Sequence, residues 1–271
     1  MSLRQTFTAI LVTLTALIYS LFVEPQWIEV TRLSKDIGLG GGEITVAQVS
    51  DLHTHSFGRG EKNTLTALRE VRPDVIVITG DAIDDRGSLL ALDSFLAQLP
   101  TAIKVATLGN WEYWAEVDLQ ELRDVYRKNG VTLLVNECMT VSAKGAVINV
   151  IGLDDYTAGR PDLSRAVGRC QSRHKTVVAT HSPGLFDKKP PIPIESVSLV
   201  IAGHTHGGQL AVGKYALYTP RGSGSFVAGW YQTQWGDLYV SRGVGTSVLP
   251  MRLGARPEIS VFKMYGIPPN L

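Results

Sequence analysis

The sequence predicts an α/β protein with an apolar segment in front of it, and three observations carry this prediction. Short apolar runs of strand length alternate with segments of helical spacing in the first half of the chain. A polar side chain that can bind a metal follows almost every such run. The first residues are apolar and nearly free of charge. The 271 residues suffice for a large core, and a net charge of +1 without basic runs gives no sign of nucleic-acid binding.

The N-terminal segment is the first element. No residue between Arg4 and Glu24 is charged, which matches the roughly 20 residues that cross a bilayer. Neither a small-residue cleavage site nor a twin-arginine pair accompanies it, so we expect an uncleaved transmembrane or signal-anchor helix over residues 1–24, in the inner (cytoplasmic) membrane. A cleaved signal peptide and a buried core helix are the alternatives. Basic residues flank both ends, so the positive-inside rule does not decide which face the rest of the chain occupies.

Three strand–helix units follow. Residues 25–42 end in a glycine-rich stretch and are predicted to be a linker, which leaves residues 43–271 as one main domain. The repeated unit is typical of a mostly parallel sheet whose site lies at the carboxyl ends of its strands. The predicted strands are 44–49, 75–79 and 103–108, and the predicted helices are 63–71, 88–98 and 116–128.

The second half of the chain contains shorter apolar runs and two cysteines. Cys138 and Cys170 lack metal-type spacing and are interpreted as free structural thiols, with one disulfide in an oxidising compartment as the alternative. One helix is predicted near 163–172. The predicted strands are 132–135, 140–142, 147–152, 176–180, 197–202, 209–212, 238–241 and 259–262.

Seven polar groups stand directly after predicted core strands. Each alone has a simpler explanation, such as a helix cap, a turn or a buried histidine that is hydrogen-bonded. Because the carboxyl ends of neighbouring strands meet, the set together predicts a metal site. Carboxylate, amide and imidazole ligands favour Mn²⁺, Fe or Zn²⁺. The seven are Asp51, His53, Asp81, Asn110, His181, His204 and His206.

The motifs Asp-x-His, Gly-Asp, Gly-Asn, His and Gly-His-x-His, in this order, resemble the calcineurin-like metallophosphoesterase superfamily over nearly everything after residue 43. The stretches 203–209 and 239–247 resemble its YkuE-type branch of membrane-anchored or exported bacterial phosphoesterases. The resemblance implies a four-layer α/β/β/α sandwich and two divalent metal ions, with Mn as the first choice. It implies that one metal is held by Asp51, His53 and His206, the other by Asn110, His181 and His204, and that Asp81 bridges them.

The implied reaction is hydrolysis of a phosphodiester or pyrophosphate bond by a hydroxide that bridges the metals. Asp81, Asn110 and His204 are the implied catalytic positions. A membrane tether favours a lipid-linked substrate such as UDP-2,3-diacylglucosamine. The alternative is a catalytically weak, metal-binding scaffold of the same fold that recruits a partner.

One position departs from the family. A histidine usually follows the Gly-Asn motif, whereas this chain has Trp111, which cannot transfer a useful proton but can stack on a substrate. This loss is the feature that favours the scaffold alternative. His55 is a candidate replacement acid, with an exposed loop histidine as the alternative. Arg242 and Arg252 are candidate phosphate-binding residues, with structural ion pairs as the alternative.

Overall fold

The computed structural model describes residues 2–171, 173–191, 197–213 and 215–267. Met1 of the predicted anchor, Ser172 of a predicted helix and residues 268–271 of the predicted main domain lie outside the described residues. The α-helices are α1 (Leu3–Ile18), α2 (Arg59–Val71), α3 (Leu89–Leu96), α4 (Asn110–Trp114), α5 (Leu119–Lys128) and α6 (Leu163–Val167). The strands are β1 (Glu29–Asp36), β2 (Glu43–Val49), β3 (Val75–Thr79), β4 (Ile103–Thr107), β5 (Val131–Leu133), β6 (Glu137–Ala143), β7 (Ala146–Gly152), β8 (Lys175–Ala179), β9 (Val197–Ala202), β10 (Ala211–Val212), β11 (Tyr215–Ala216), β12 (Gly229–Thr233), β13 (Gly236–Val240) and β14 (Glu258–Tyr265).

Most of these strands form two mixed sheets of six strands each. The first has the order β1-β14-β2-β3-β4-β5 and the second β12-β13-β9-β8-β7-β6, while β10 and β11 form a small separate hairpin. In the first sheet β2, β3, β4 and β5 run parallel. In the second, β7, β8, β9 and β13 run parallel. The candidate metal ligands predicted from the sequence follow strands of these two parallel sets.

The two sheets pack face to face between outer layers. Ile44 of β2 and Val75 of β3 share one buried cluster with Ile148 of β7 and Leu199 of β9. Side chains alternate along each strand, so the opposite face of the first sheet packs on α2, α3 and α5. The opposite face of the second sheet packs on α6 and on the buried ring of Trp235. The predicted four-layer α/β/β/α architecture is confirmed.

The carboxyl ends of the central strands converge on one crevice. Gln48 donates a hydrogen bond of 2.8 Å from Nε2 to the carbonyl of Ala202, which joins the end of β2 to the end of β9 across the two sheets. In the turns beyond the strands, the N–H of Gly203 donates to the carbonyl of His181 over 3.0 Å. Residues that follow different strands are thereby held within one framework.

Helix α1 projects from this body. It continues through a π-helical turn, Tyr19–Val23, and a 3₁₀ turn, Glu24–Gln26, and residues Leu3–Gln26 together are long and apolar enough to cross a membrane. None of the residues of α1 itself is buried. An apolar helix that the described part of the chain leaves uncovered is a candidate membrane span or signal anchor.

The prediction that residues 25–42 are a linker is wrong for residues 29–36. Residues 29–36 form β1, which pairs in parallel with β14 at the edge of the first sheet. The strand is hard to recognise because Val30 and Leu33 are its only large apolar residues, as is common for an edge strand that is protected by charge. The folded domain therefore begins before residue 43.

The interpretation of the two cysteines as free thiols is also wrong. Cys138 on β6 and Cys170, just after α6, form a disulfide. Their separation of 32 residues in sequence matches no local motif, and the pairing depends on α6 packing against β6. The alternative of a single disulfide is the one that the structure bears out.

Candidate metal centre

The strand-end groups lie together at the floor of the crevice. Two clusters each contain three residues whose ligand atoms all lie within 4.8 Å of one another. All six side chains are buried. Two clusters of this composition fit a site for two divalent metal ions. The first cluster is Asp51, His53 and His206, and the second is Asp81, His181 and His204.

Most of these residues have a backbone conformation that residues other than glycine rarely adopt. Their φ angles lie between 46° and 72°, in the left-handed region. Each such residue costs about 1–3 kcal/mol, and strain of this kind persists where the surrounding structure imposes it, often at functional sites. Here the left-handed conformation turns the side chains of short loops toward one point. The residues are Asp51, His53, Asp81, His204 and His206.

In the first cluster the two imidazoles face each other. Nε2 of His53 and Nε2 of His206 are 3.1 Å apart, and Nε2 of His206 is 3.4 Å from Oδ1 of Asp51. Gly243 packs against this carboxylate with a φ of 65°, and a Cβ at this position would lie 2.6 Å from Cβ of Asp51. A residue with a Cβ would therefore clash with Asp51 at this position, and glycine does not.

In the second cluster Asp81 is the central residue. Its Oδ2 is 3.0 Å from Nε2 of His181 and 3.7 Å from Nε2 of His53, so one carboxylate oxygen faces both clusters. Nδ1 of His204 is 3.1 Å from Nε2 of His181. This geometry agrees with a bridging position for Asp81 between two ions.

Hydrogen bonds on the outer ring nitrogens fix which nitrogen of three histidines faces inward. Nδ1 of His181 donates to the carbonyl of Thr79 over 2.8 Å, and Nε2 of His204 donates to the carbonyl of Arg221 over 2.9 Å. Nδ1 of His53 pairs with a carboxylate, that of Asp84. In each ring the other nitrogen points into the site, as a metal ligand must.

Asn110 supplies an independent test of the fit. Its side-chain Oδ1 is buried and has no hydrogen-bond partner in the described part of the chain. An unsatisfied buried oxygen costs about 1–3 kcal/mol. A hard or borderline cation satisfies such an oxygen, so this atom fits the role of a ligand.

The charges of the site favour cation binding. Burial raises the pKa of Asp81, but the positive charges of His181 and His53 outweigh this effect and lower it to about 2, so the carboxylate is ionised. Burial, followed by the charges of His53 and Arg252, lowers the pKa of His206 well below its ordinary value, so this ring is neutral. An ionised carboxylate and a neutral imidazole are the forms that bind metals.

Two other histidines of the site hold a proton more strongly. Burial lowers the pKa of His181, but the charge and hydrogen bond of Asp81 raise it well above its ordinary value. The pKa of His53 is also raised, because its hydrogen bond to Asp84 and the charge of Asp81 outweigh burial. A cation that binds at the inner nitrogens of these rings competes with protons.

Glu112 is a buried carboxylate that the sequence does not single out. It accepts backbone hydrogen bonds of 3.1, 2.7 and 2.7 Å from Asp81, Ala82 and Gly109. Burial, followed by the charge of Asp81, raises its pKa to about 7. Glu112 therefore joins the turn that carries Asp81 to the turn that carries Asn110.

An open cavity of about 840 Å³ lies above the two clusters. Its walls include the indoles of Trp111 and Trp114 and the side chain of Tyr218. Lys188 and Arg221 also line it, both are exposed, and neither forms an ion pair with another described residue. The cavity thus combines aromatic surface with two cationic side chains, beside the exposed carboxylate of Asp187, and the cations suit a phosphate that carries a larger organic group.

Trp111 and His55 differ in their relation to this cavity. Trp111 lines it, as a substrate-binding role requires; its backbone N–H donates to Oδ1 of Asp81 over 2.8 Å, and its ring stands edge-on to His53 with centroids 5.8 Å apart. His55 lies outside the cavity. Its side chain is 68% exposed and lies 2.7 Å from Asp84, which is the geometry of the exposed-loop alternative and not of a replacement acid.

The two arginines are not brought to the cavity either: Arg242 forms the structural ion pairs of the alternative, whereas Arg252 forms no ion pair with a described residue and contacts main-chain carbonyls instead. Arg242 pairs with Glu258 and Glu29, each at 3.0 Å, and does not line the cavity. Arg252 is fully buried, and its guanidinium donates to a set of main-chain carbonyls, so it is not available to phosphate. The carbonyls are those of His206, Arg242, Gly243, Gly245 and Ala255.

The residues of the site that sequence reasoning missed are Asp84, Glu112, Lys188 and Arg221. Asp84 follows Asp81 by three positions, and a carboxylate so close to a ligand motif is a usable signal for a residue that orients a ligand. Lys188 and Arg221 lie in loops without a strand-end pattern. Nothing in their local sequence distinguishes them from other surface cations.

Residues 44–208 match the family model of the calcineurin-like phosphoesterases. The chain belongs to this family. It is accordingly a metal-dependent phosphoester hydrolase. It is 32% identical to the metallophosphoesterase YkuE of Bacillus subtilis, over 91% of this chain and 88% of that protein.

Two further relatives of this phosphoesterase carry more specific names. The phosphodiesterase YaeI of Escherichia coli is 26% identical over 96% of this chain and 97% of its own length. A transmembrane protein with metallophosphoesterase domain from Bos taurus is 30% identical over 83% of this chain and 54% of its own length. Together with the apolar helix Leu3–Gln26, this last relative suggests that the chain is anchored in a membrane.

Proposed function

We propose that this chain is a membrane-anchored phosphodiesterase that acts on a lipid-linked phosphodiester with the help of two divalent metal ions. Mn²⁺ is the first choice, with Fe or Zn²⁺ as alternatives, because the ligand set mixes carboxylate, amide oxygen and imidazole. The observation that carries the proposal is Asp81, one of whose carboxylate oxygens faces both histidine clusters at the floor of an open cavity.

The candidate ligands have defined roles in this proposal. Bound cations supply Lewis-acid charge for the phosphoryl oxygens and lower the pKa of water to give a nucleophile at neutral pH. The neighbouring groups orient the ligands: Asp84, the carbonyl of Thr79 and the carbonyl of Arg221 fix three of the imidazole rings. In this proposal one ion is held by Asp51, His53 and His206, the other by Asn110, His181 and His204, and Asp81 is shared by both.

Side chains on the cavity wall bind the substrate. Arg221 and Lys188 line the cavity and carry the charge that pairs with phosphoryl oxygens. Trp111 and Trp114 form an aromatic wall, with ring centroids 5.6 Å apart, for the organic group. Because the Trp111 indole provides no proton for the leaving group, the charge on the leaving oxygen would have to be neutralised by a cation held at the clusters.

The disulfide indicates which side of the membrane the catalytic domain occupies. Disulfides persist in oxidising compartments and are rare in the cytosol, so the bond between Cys138 and Cys170 favours an exported domain behind a signal anchor in the cytoplasmic membrane. UDP-2,3-diacylglucosamine is a nucleotide-linked precursor of the cytoplasm and is disfavoured on this ground. A lipid phosphodiester on the outer face of the membrane fits better.

The experiment is hydrolysis by the full chain in detergent micelles with Mn²⁺. The panel contains p-nitrophenyl phosphate, bis(p-nitrophenyl) phosphate, phosphatidylglycerol and UDP-2,3-diacylglucosamine. Asp81→Asn tests the site, and His55→Ala is the matched control, since His55 lies near the clusters but outside the cavity. We expect turnover of the second and third compounds, loss of it in Asp81→Asn and normal rates in His55→Ala.

Three other outcomes contradict parts of the proposal. Turnover of UDP-2,3-diacylglucosamine alone contradicts the exported orientation. Turnover of the monoester alone contradicts a phosphodiesterase. No turnover by a protein that carries two ions contradicts catalysis and favours the scaffold alternative, in which Trp111 in place of the family's histidine marks the lost activity.

A further inference from the structure

The end of the apolar helix is fixed to a loop beside the metal centre. Ser20 and Glu24 are buried although they follow a fully exposed helix, with 1% and 2% of their surfaces accessible. The backbone N–H of Arg252 donates to the carbonyl of Ser20 over 2.9 Å, and that of Ala255 donates to Oε1 of Glu24 over 2.8 Å. The helix is therefore not joined to the domain by a free tether.

Exposed apolar side chains lie on two loops that are hydrogen-bonded to each other, and one of these loops leads into Arg252, which contacts the helix end. Backbone hydrogen bonds of 2.9 and 2.8 Å join Leu253 to Gln209 and Ala211 at the base of the β10–β11 hairpin. Residues 210–220 contain a single charged residue, and residues 244–251 contain none. Besides Tyr215, six apolar or aromatic side chains of these loops are between 40% and 89% exposed. We name them the apolar apron: Val212, Leu217, Tyr218, Val248, Leu249 and Leu253.

The apron reaches from the helix end to the mouth of the cavity. Tyr218 and Val248 line the cavity itself, and Leu253 follows Arg252, whose N–H contacts Ser20. The hairpin also lies close in sequence to a candidate ligand, because β10 begins shortly after the 3₁₀ turn His206–Gly208. One continuous surface therefore links the helix, the apron and the metal centre.

Val248 gives a second reason to regard this surface as functional. Its φ is 62°, in the left-handed region, where a β-branched residue is a rare outlier. Its side chain is nevertheless 89% exposed, so packing within the chain does not offset the strain. Strained residues of this kind cluster at active sites, ligand clamps and switch regions.

We infer that the apolar apron inserts into the headgroup region of the same bilayer that holds the N-terminal helix. The hydrogen bond between Arg252 and Ser20 joins one loop of the apron to the turn that directly follows the exposed helix α1, and an interfacial surface of an anchored chain lies at such an end of the anchoring helix. A surface that exposes Val, Leu and Tyr side chains fits that region. The cavity then opens at the lipid surface, and a lipid substrate reaches the metal centre without leaving the bilayer.

Insertion is tested with the full chain in lipid nanodiscs that hold one chain each, made of phosphatidylcholine and phosphatidylglycerol. The two native cysteines form a disulfide, so a single added cysteine takes an environment-sensitive NBD label. Val212→Cys reports on the apron, and Leu90→Cys, at a position that is 79% exposed on α3, is the matched control. We expect doxyl-labelled lipids to quench the label at residue 212 and to leave that at residue 90 unaffected.

Three results overturn the inference. Equal quenching at both positions shows non-specific contact of the label with lipid. Quenching at neither position shows that the apron stays in water. A third result is a label whose emission shifts to the blue without quenching by lipid, and only in discs that hold two chains. This result shows that a second copy of this chain covers the apron instead.

The consequence for activity rests on the proposed function and has a separate readout. In Val212→Asp/Leu217→Asp, we expect hydrolysis of phosphatidylglycerol in nanodiscs to fall about tenfold, because charge opposes insertion, while bis(p-nitrophenyl) phosphate is hydrolysed at the normal rate. Leu90→Asp is the control. Equal loss on both substrates contradicts the inference, and no loss on either also contradicts it. Failure of the unmodified chain on both substrates contradicts the proposed function, while the quenching result still decides whether the apron inserts.

Discussion

Arg252 donates a backbone hydrogen bond of 2.9 Å to the carbonyl of Ser20 and lies with its side chain 3.3 Å from Nδ1 of His206. One residue thus contacts both the end of the apolar helix and a candidate metal ligand. Burial lowers the pKa of Arg252 to about 10, so the guanidinium still carries its charge at neutral pH. The carbonyls around it make that buried charge tolerable.

This position predicts a structural role for Arg252. In Arg252→Met, several buried carbonyls lose their donor, and we expect the free energy of unfolding to fall by about 3 kcal/mol. Arg86→Met, which removes an exposed pair with Glu121, is the control and should change it by less than about 0.5 kcal/mol. Urea unfolding measures both. A phosphate-binding role predicts the reverse pattern, with unchanged stability and a higher KM.

Arg221 is expected to show that reverse pattern. Its exposed side chain lines the cavity, whereas its contact with His204 uses the main-chain carbonyl and survives substitution. Arg221→Gln should raise the KM for a phosphodiester about tenfold, the value of one charge-assisted hydrogen bond, without lowering the unfolding midpoint. Arg165→Gln, on the surface at α6, provides the control. An unchanged KM would show that this cation does not contact the substrate.

Trp111 predicts a dependence on the leaving group. In Trp111→His a proton donor returns to the cavity, and we expect esters of poorly acidic alcohols to react about 10²-fold faster. Esters of p-nitrophenol need no such proton and should change little. The slope of log kcat against leaving-group pKa measures this difference across a series of diesters. A uniform change across the series would mean that the indole acts only through packing.

The disulfide predicts a stability that depends on redox conditions. It links residues that are 32 positions apart, so its loss in Cys138→Ser/Cys170→Ser should cost about 2–4 kcal/mol. The metal clusters lie on other loops, and the number of bound ions should stay the same. Thermal unfolding with and without reductant measures the first quantity. If Cys138→Ser/Cys170→Ser melts at the same temperature as the native chain, the bond contributes nothing to stability.

The features that the sequence predicts well are those with a strong local signal. The central strands are apolar runs, and the ligands Asp51, Asp81 and His204 follow them directly, so both the sandwich and the metal clusters are visible without coordinates. Strand β1 cannot be recognised from the sequence, because its position at the sheet edge leaves Val30 and Leu33 as its only large apolar residues.

Features that depend on long-range contacts could not be predicted. Arg221 enters the cavity because its loop packs on His204, which is 17 positions away. Arg252 resembles a phosphate ligand in the sequence because sequence records charge but not burial. The pairing of Cys138 with Cys170 likewise depends on how α6 packs on the second sheet.

Asp81 is proposed to be shared by two metal ions, and metal content combined with electron paramagnetic resonance tests this most directly. The full chain, freed of metal and then dialysed against Mn²⁺, should hold two ions with the signal of a coupled pair, since ions that share a carboxylate lie about 3.5–4 Å apart. Asp81→Asn should lose the coupled signal and at least one ion, while His55→Ala keeps both. A single uncoupled ion in the native chain, or a coupled pair that persists in Asp81→Asn, would contradict the claim.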